Sequence, residues 1–100
     1  MLENFRTYQM AVALYRECNG IKLKGGLKDQ LERASSSVVL NLAEGSAKRS
    51  PKDRARFYQI ALGSLRETQA ILELKGMRSD LTNKLGGSLY RLIRNPGPDL

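Results

Sequence analysis

The sequence predicts an all-α protein, a single-domain antiparallel up-down-up-down four-helix bundle. Three observations carry that prediction. Apolar residues recur at intervals of three and four, the spacing that lines one face of a helix, in four separate segments. Leu and Ala dominate the apolar set, Trp is absent, and the β-branched and aromatic residues that strands favour are sparse. Each segment also ends at a helix-stopping residue, and short connections between helices make antiparallel neighbours.

The first helix is predicted over about residues 3–18. Phe5, Tyr8, Val12, Tyr15 and Cys18 form its stripe, with Ala11 and Leu14 beside them. Asn19-Gly20 stops it, Gly being tolerant of a left-handed cap. Residues 21–26 make a short basic connection bearing Lys22 and Lys24. The second helix, about 27–47, carries Leu27, Leu31, Ala34, Val38 and Leu42 on one stripe. Val39 and Ala43 widen it and Leu40 lies on a further side, a breadth that implies burial on more than one side, as at a contact between subunits.

Ser50-Pro51-Lys52-Asp53 is the sharpest boundary: a capping hydroxyl, a proline at the first helical position and an acid in the first turn. The third helix then runs over about 51–75, with Phe57, Ile60, Ala61, Ser64, Leu65, Thr68, Ile71 and Leu72 on its inner face and Gly76 ending it. Ser79 or Asp80 starts a fourth helix over about 80–94, with Leu81, Leu85, Leu89, Leu92 and Ile93 as its stripe. Gly86-Gly87 weakens it by roughly 1 kcal/mol per glycine, so either a neighbour packs closely there or the helix frays. Asn95-Pro96-Gly97-Pro98 cannot continue a helix.

Composition narrows the chemistry. At 100 residues the chain supports one modest core. Histidine is absent, which removes the usual general base and the commonest metal ligand. Cys18 is the sole cysteine, so neither an internal disulfide nor a thiolate cluster can form, and it reads as a small buried hydrophobe. No catalytic residue, metal site or cofactor is expected, and the protein reads as a non-enzyme. No segment is apolar and long enough to span a bilayer, and the first residues lack a signal-peptide pattern. The cytoplasm is the expected compartment and no membrane partner is expected. Lys and Arg number 17 against 10 Asp and Glu, a net charge of +7, which attracts phosphate backbones or acidic partners without defining a site.

Two sets of residues stand out. In the first, Gln30, Arg33, Ser37, Asn41 and Glu44 share one face of the second helix, and Ser64 and Glu67 share a face of the third. We read these as structural: Arg33 pairs with a carboxylate such as Glu44 or Glu67, and Asn41 satisfies backbone at a helix contact. Gly45 closes the second helix and Gly63 lets two helices approach. A ligand or catalytic pocket is the competing reading, weakened by the lack of histidine and by Arg33 and Arg66 near the acids.

The order Gln30-x-x-Arg33-Ala34, Asn41-Leu42-Ala43-Glu44-Gly45 and Phe57-x-x-x-Ala61-x-Gly63-Ser64 followed by Glu67 resembles the four-helix bundle proteins encoded within intervening sequences of bacterial large-subunit ribosomal RNA genes. That group is broad and includes the accessory variability proteins of diversity-generating retroelements. The resemblance is close over residues 30–67 and loose elsewhere. It implies a non-catalytic bundle that assembles into homopentameric rings. It also implies, for the retroelement members, binding to RNA or DNA and a reverse transcriptase as protein partner.

The second set is basic. Lys48, Arg49, Lys52, Arg54 and Arg56 surround the turn into the third helix, and Lys22, Lys24 and Lys28 flank the turn into the second. These turns lie at opposite ends of an up-down bundle. Tyr58 follows Arg54 by one turn and is placed to stack on a base. On charge alone a solvated surface and a phosphate-binding surface are equally good readings, and the resemblance favours the second. A structural or protein-binding module without a nucleic-acid role is the alternative.

Overall fold

A computed structural model describes residues 2–98, with side chains from Arg6 onward. Among the described residues there are four helices and no strand: α1 (Leu2–Asn19), α2 (Gly25–Ser46), α3 (Pro51–Leu74) and α4 (Asp80–Arg94). The expected boundaries hold to within a residue or two. The largest differences are at α2, which begins at Gly25 rather than Leu27 and ends one residue before the expected Ala47.

Chain chemistry explains the ends. Ser50 caps α3 by accepting from the Asp53 backbone N–H at 3.1 Å, and Pro51 occupies the first turn where no N–H is needed. Ser79 caps α4 by accepting from the Leu81 N–H at 3.2 Å. At the C-terminus of α3, Gly76 takes a φ of 69°. Its N–H donates to Glu73 at 2.9 Å, and the Met77 N–H donates to Leu72 at 2.9 Å, a Schellman arrangement that needs a left-handed residue at Gly76. Gly20 behaves differently from expectation: its φ is not positive, and its N–H turns back onto the Arg16 and Glu17 carbonyls at 3.2 and 3.1 Å. The α1 helix therefore ends by a tightened last turn rather than by a left-handed cap.

Each helix packs on two neighbours, α1 on α2 and α4, α3 on α2 and α4. A helix of 24 residues such as α3 is about 36 Å long, and a connection the length of 47–50 or 75–79 reaches about half of that. Consecutive helices must therefore run antiparallel. The side chains agree: Ser37 in the middle of α2 meets Ser64 in the middle of α3, while Gly45 near the end of α2 meets Tyr58 near the start of α3. The Thr7 hydroxyl of α1 bonds the Ser88 hydroxyl of α4, which closes the ring of four helices.

The core is built from Ala11, Leu14 and Cys18; Leu31, Ala34, Val38 and Leu42; Tyr58, Ala61, Leu65, Ile71 and Leu72; and Leu85, Leu89 and Leu92. On two helices this differs from the expected stripe. In α1 the buried row is Thr7, Ala11, Leu14 and Cys18, whereas Tyr8, Val12 and Tyr15 are exposed or half-buried. Phe5 lies outside the described side chains. In α3 the buried row is Arg54, Tyr58, Ala61, Leu65, Thr68 and Leu72, and Ile60 is exposed. The expected Ala61, Leu65, Thr68, Ile71 and Leu72 are buried as read, and so are Ala11, Leu14 and Cys18 of α1; the difference lies in Arg54, Tyr58 and Thr7, which take inner positions where Phe57, Ile60, Tyr8, Val12 and Tyr15 were expected. Around Gly86-Gly87, α4 is continuous, and a side chain at Gly86 would meet Leu65 at an ordinary 3.7 Å.

Gly45 does not close α2. It is buried within the last turn, and a Cβ there would lie 2.8 Å from the Tyr58 ring and 2.9 Å from the Phe57 Cβ. Gly63, expected to allow helix approach, faces open space. The two glycines thus predict opposite responses to alanine. Gly45→Ala forces overpacking against an immobile ring and a backbone-anchored Cβ, a destabilisation of about 1–3 kcal/mol. Gly63→Ala removes unfolded-state freedom at no steric cost and stabilises by roughly 0.5–1 kcal/mol. Thermal melts of the two variants check this; equal melting temperatures would show that α3 does not lie as close to α2 as described.

Candidate nucleic-acid interface

The α2–α3 approach at Gly45 carries the first turn of α3 inward, and with it Arg54. Arg54 is only 3% exposed. Its Nε donates to the Pro96 carbonyl at 2.7 Å, and its Nη1 to the Lys48 and Arg49 carbonyls, each at 2.9 Å. Its Nη2 donates to the Pro98 carbonyl. The Lys48 and Arg49 carbonyls lie just past the C-terminus of α2, and Pro96 and Pro98 follow the C-terminus of α4. Chain that has left a helix has carbonyls to satisfy, and one planar guanidinium with five N–H donors can serve two such segments together. Arg54 is therefore not the surface phosphate ligand expected from its place in the basic run. The expectation failed because Arg54 lies four residues before Tyr58 and seven before Ala61, on the buried row. That spacing was the signal available in the sequence.

Tyr58 is likewise corrected. It is fully buried against Gly45 and cannot stack on a base. The aromatic residue within the basic turn is instead Phe57, which is half-buried. The Lys48 ammonium lies 5.1 Å and the Arg56 guanidinium 5.2 Å from its ring centroid, both in cation–π range. Lys48 also pairs with Glu44 at 3.0 Å along α2. Arg49, Lys52 and Arg56 are exposed.

Because Arg54 holds the 48–49 turn and the 96–98 tail together, the last turn of α4 lies beside the basic turn. Antiparallel packing brings the start of α1 to the same end. Exposed or half-buried cations there are Arg6, Lys48, Arg49, Lys52, Arg56, Arg91 and Arg94, alongside Glu44 and Asp53 among the described acids. Arg6, Arg91 and Arg94 were not singled out by sequence, since nothing local joins them to residues 48–56. Lys22, Lys24 and Lys28 are exposed at the opposite end, as expected. There Arg16, Lys75, Arg78 and Lys84 join them, but Glu17, Asp29, Glu32, Glu73 and Asp80 are interleaved. Among the described residues the first end is the more strongly positive of the two, and buried Arg54 adds to its potential with no described carboxylate at its guanidinium.

A model of the family described as 23S rRNA-intervening sequence protein matches residues 3–96. The chain belongs to that family. No curated protein and no solved structure matches the chain.

The polar motif of this family member is only partly what the spacing implied. Asn41 donates through Nδ2 to the Ser37 carbonyl at 2.9 Å and to the Ser37 Oγ at 3.0 Å, and Ser37 bonds Ser64 across the α2–α3 seam at 2.7 Å. Asn41, Ser37 and Ser64 thus form one hydrogen-bond network at the α2–α3 contact. Gln30, Arg33, Glu44 and Glu67 are exposed, so the expected pairing of Arg33 with Glu44 or Glu67 is replaced by the Glu44–Lys48 pair. These four residues lie one step outside the seam. Cys18 is buried, and burial, with Glu17 adding to it, pushes its thiol up to about 11. Among the described residues no group of three His, Cys, Asp or Glu comes together as metal ligands would, and no helix is long and apolar enough to cross a membrane.

Two substitutions separate these roles. Arg54→Ala unties the turn and the tail and strands several carbonyls, a loss of about 3 kcal/mol or more, and Arg54→Lys fails to rescue it because one ammonium cannot span both segments. Glu44→Ala removes an exposed pair within one helix and costs no more than about 0.5 kcal/mol. Chemical denaturation of the three variants reads this; a large loss for Glu44→Ala with none for Arg54→Ala would reverse the assignment.

Proposed function

We propose that this chain is a non-catalytic, self-associating bundle of the cytoplasm that binds RNA or DNA through the basic end held together by Arg54. The observation that carries the reading is the convergence of three chain segments, and their cations, at one end of the bundle. Phosphate contacts by Lys and Arg release condensed counterions, and that term supplies essentially all of the affinity of sequence-independent binding. Nothing at this end resembles a base-reading element, so binding is led by the backbone and varies little with sequence. The non-catalytic part rests on chemistry: the chain has no histidine, and its one thiol is buried and hard to ionise.

Self-association rests on the outer surface of α1 and α2. Val12, Tyr15, Arg16, Ser36, Val39 and Leu40 line an apolar groove of about 360 Å³, and Leu40 is 64% exposed. This is the excess breadth seen in the sequence of the second helix. A second copy of the chain covers it in this reading, and the family resemblance makes a ring of five the assembly to test. Repeating the basic end around a ring gives a multivalent surface whose avidity exceeds that of one subunit.

Binding to duplex DNA and to structured RNA is expected at low salt, falling steeply as salt rises. Changing Lys48, Arg49, Lys52 and Arg56 together to Gln weakens binding and flattens the salt slope, while the same change at Lys22, Lys24 and Lys28 has the smaller effect. Anisotropy titrations at two salt concentrations check this. Absence of binding by the unaltered protein at low salt would leave the protein-binding alternative, for which the α1–α2 groove is the surface.

Light scattering at micromolar concentration is expected to give the mass of an assembly, and Leu40→Asp to shift it toward the monomer without unfolding the chain, since Leu40 lies outside the core. A monomeric wild-type protein would remove the self-association reading and leave the nucleic-acid reading standing.

A further inference from the structure

At the basic end, Tyr90 is an aromatic residue that the core does not use. The residue is 55% exposed near the end of α4, and the Arg94 guanidinium lies over its ring at 5.6 Å from the centroid. Arg94 is four residues further on, so it sits one helical turn above Tyr90 on the same face. Tyr90 and its neighbours Leu89 and Leu92 have opposite fates: the leucines fill the core, while the tyrosine points away from it. Burying an aromatic ring is worth far more than leaving it in water, so an exposed ring held under a cation is a surface suited to another planar group. The tail that follows Arg94 is tied by Arg54 to the Lys48–Arg49 turn, which puts the end of α4 that bears Tyr90 at the same end of the bundle as the basic turn.

We infer that Tyr90 with Arg94 is a stacking platform for an unpaired base, and that the nucleic acid bound at this end is single-stranded or carries unpaired nucleotides. The inference rests on the nucleic-acid reading above and adds a ligand class to it. Bases inside a duplex present only their edges to a protein, whereas an unpaired base exposes a π face that any aromatic ring can meet without reading sequence. The Arg94 guanidinium is placed both to extend the stack and to meet the phosphate of the same strand. Phe57 does not serve this purpose, because it is half-buried and two cations, Lys48 and Arg56, already lie over its ring.

The test compares a short single-stranded RNA oligonucleotide with a duplex of the same length, by anisotropy with the full chain. Tyr90→Ala is expected to weaken the single strand about tenfold, to leave the duplex affinity and both salt slopes unchanged, and to leave the assembly mass unchanged. Tyr90→Phe keeps the ring and is expected to bind both as the wild type does. Arg94→Gln is expected to weaken both and reduce the salt slope by about one phosphate contact. If Tyr90→Ala matches the wild type on both oligonucleotides, the platform is wrong and the basic-end reading survives. If it weakens both equally, or lowers the assembly mass, the ring serves the fold or a subunit contact and the inference fails. If the wild type binds neither at low salt, the nucleic-acid reading falls and the platform with it.

Discussion

The approach of α3 to α2 at Gly45 is the constraint on which the basic end depends. A glycine there leaves no side chain between the helices, and the space is taken by the Phe57 Cβ and the Tyr58 ring. Tyr58 is the largest fully buried side chain in the bundle, so the contact that Gly45 permits is also a principal source of apolar burial. One turn earlier, the same geometry carries Arg54 beneath the end of α2. It has then left water and must find acceptors. It finds them in carbonyls that two helix ends would otherwise leave to solvent.

This arrangement couples stability to surface electrostatics. Among the described residues Arg54 bonds neutral carbonyls and no carboxylate, so these bonds satisfy its donors without cancelling its charge. A carboxylate in the same place would hold the segments equally well and would lower the positive potential outside. The carbonyls are supplied by residues 48–49 and 96–98, whose neighbours are Lys52, Arg91 and Arg94. Holding the backbone of these segments together gathers side chains of like sign, a mutually repulsive arrangement. The opposite end has no comparable node, and acids lie between its cations.

Two of the four helix seams carry a hydroxyl pair. Ser37, held by Asn41 within α2, bonds Ser64 of α3, and Thr7 of α1 bonds Ser88 of α4. Small hydroxyls let backbones come close, and each bond is met only in one register, since sliding a helix by a turn would bury an unsatisfied hydroxyl. The apolar residues left over face outward along α1 and α2, where Val12, Tyr15, Val39 and Leu40 form one surface.

The sequence by itself determined the number of helices, their order and nearly all of their ends. Those features rest on local chemistry: Ser50-Pro51, Ser79 and Gly76 satisfy backbone groups within a few residues of themselves. It also determined that α2 was too apolar for one bundle to cover, because Leu40 and Val39 lie off the stripe that packs inward. Tertiary structure decided which way α1 and α3 turn about their axes, and so that Tyr58 and Arg54 are interior while Tyr8 and Ile60 are not. Apolar spacing in α3 allows either Phe57 and Ile60 or Tyr58 as the inner residues, and the close approach at Gly45 selects Tyr58. It also decided that Arg91 and Arg94 join the cations of residues 48–56, and that Glu44 serves a surface pair. Residues some forty positions apart become neighbours only when α4 runs back along α3, and no local spacing records that.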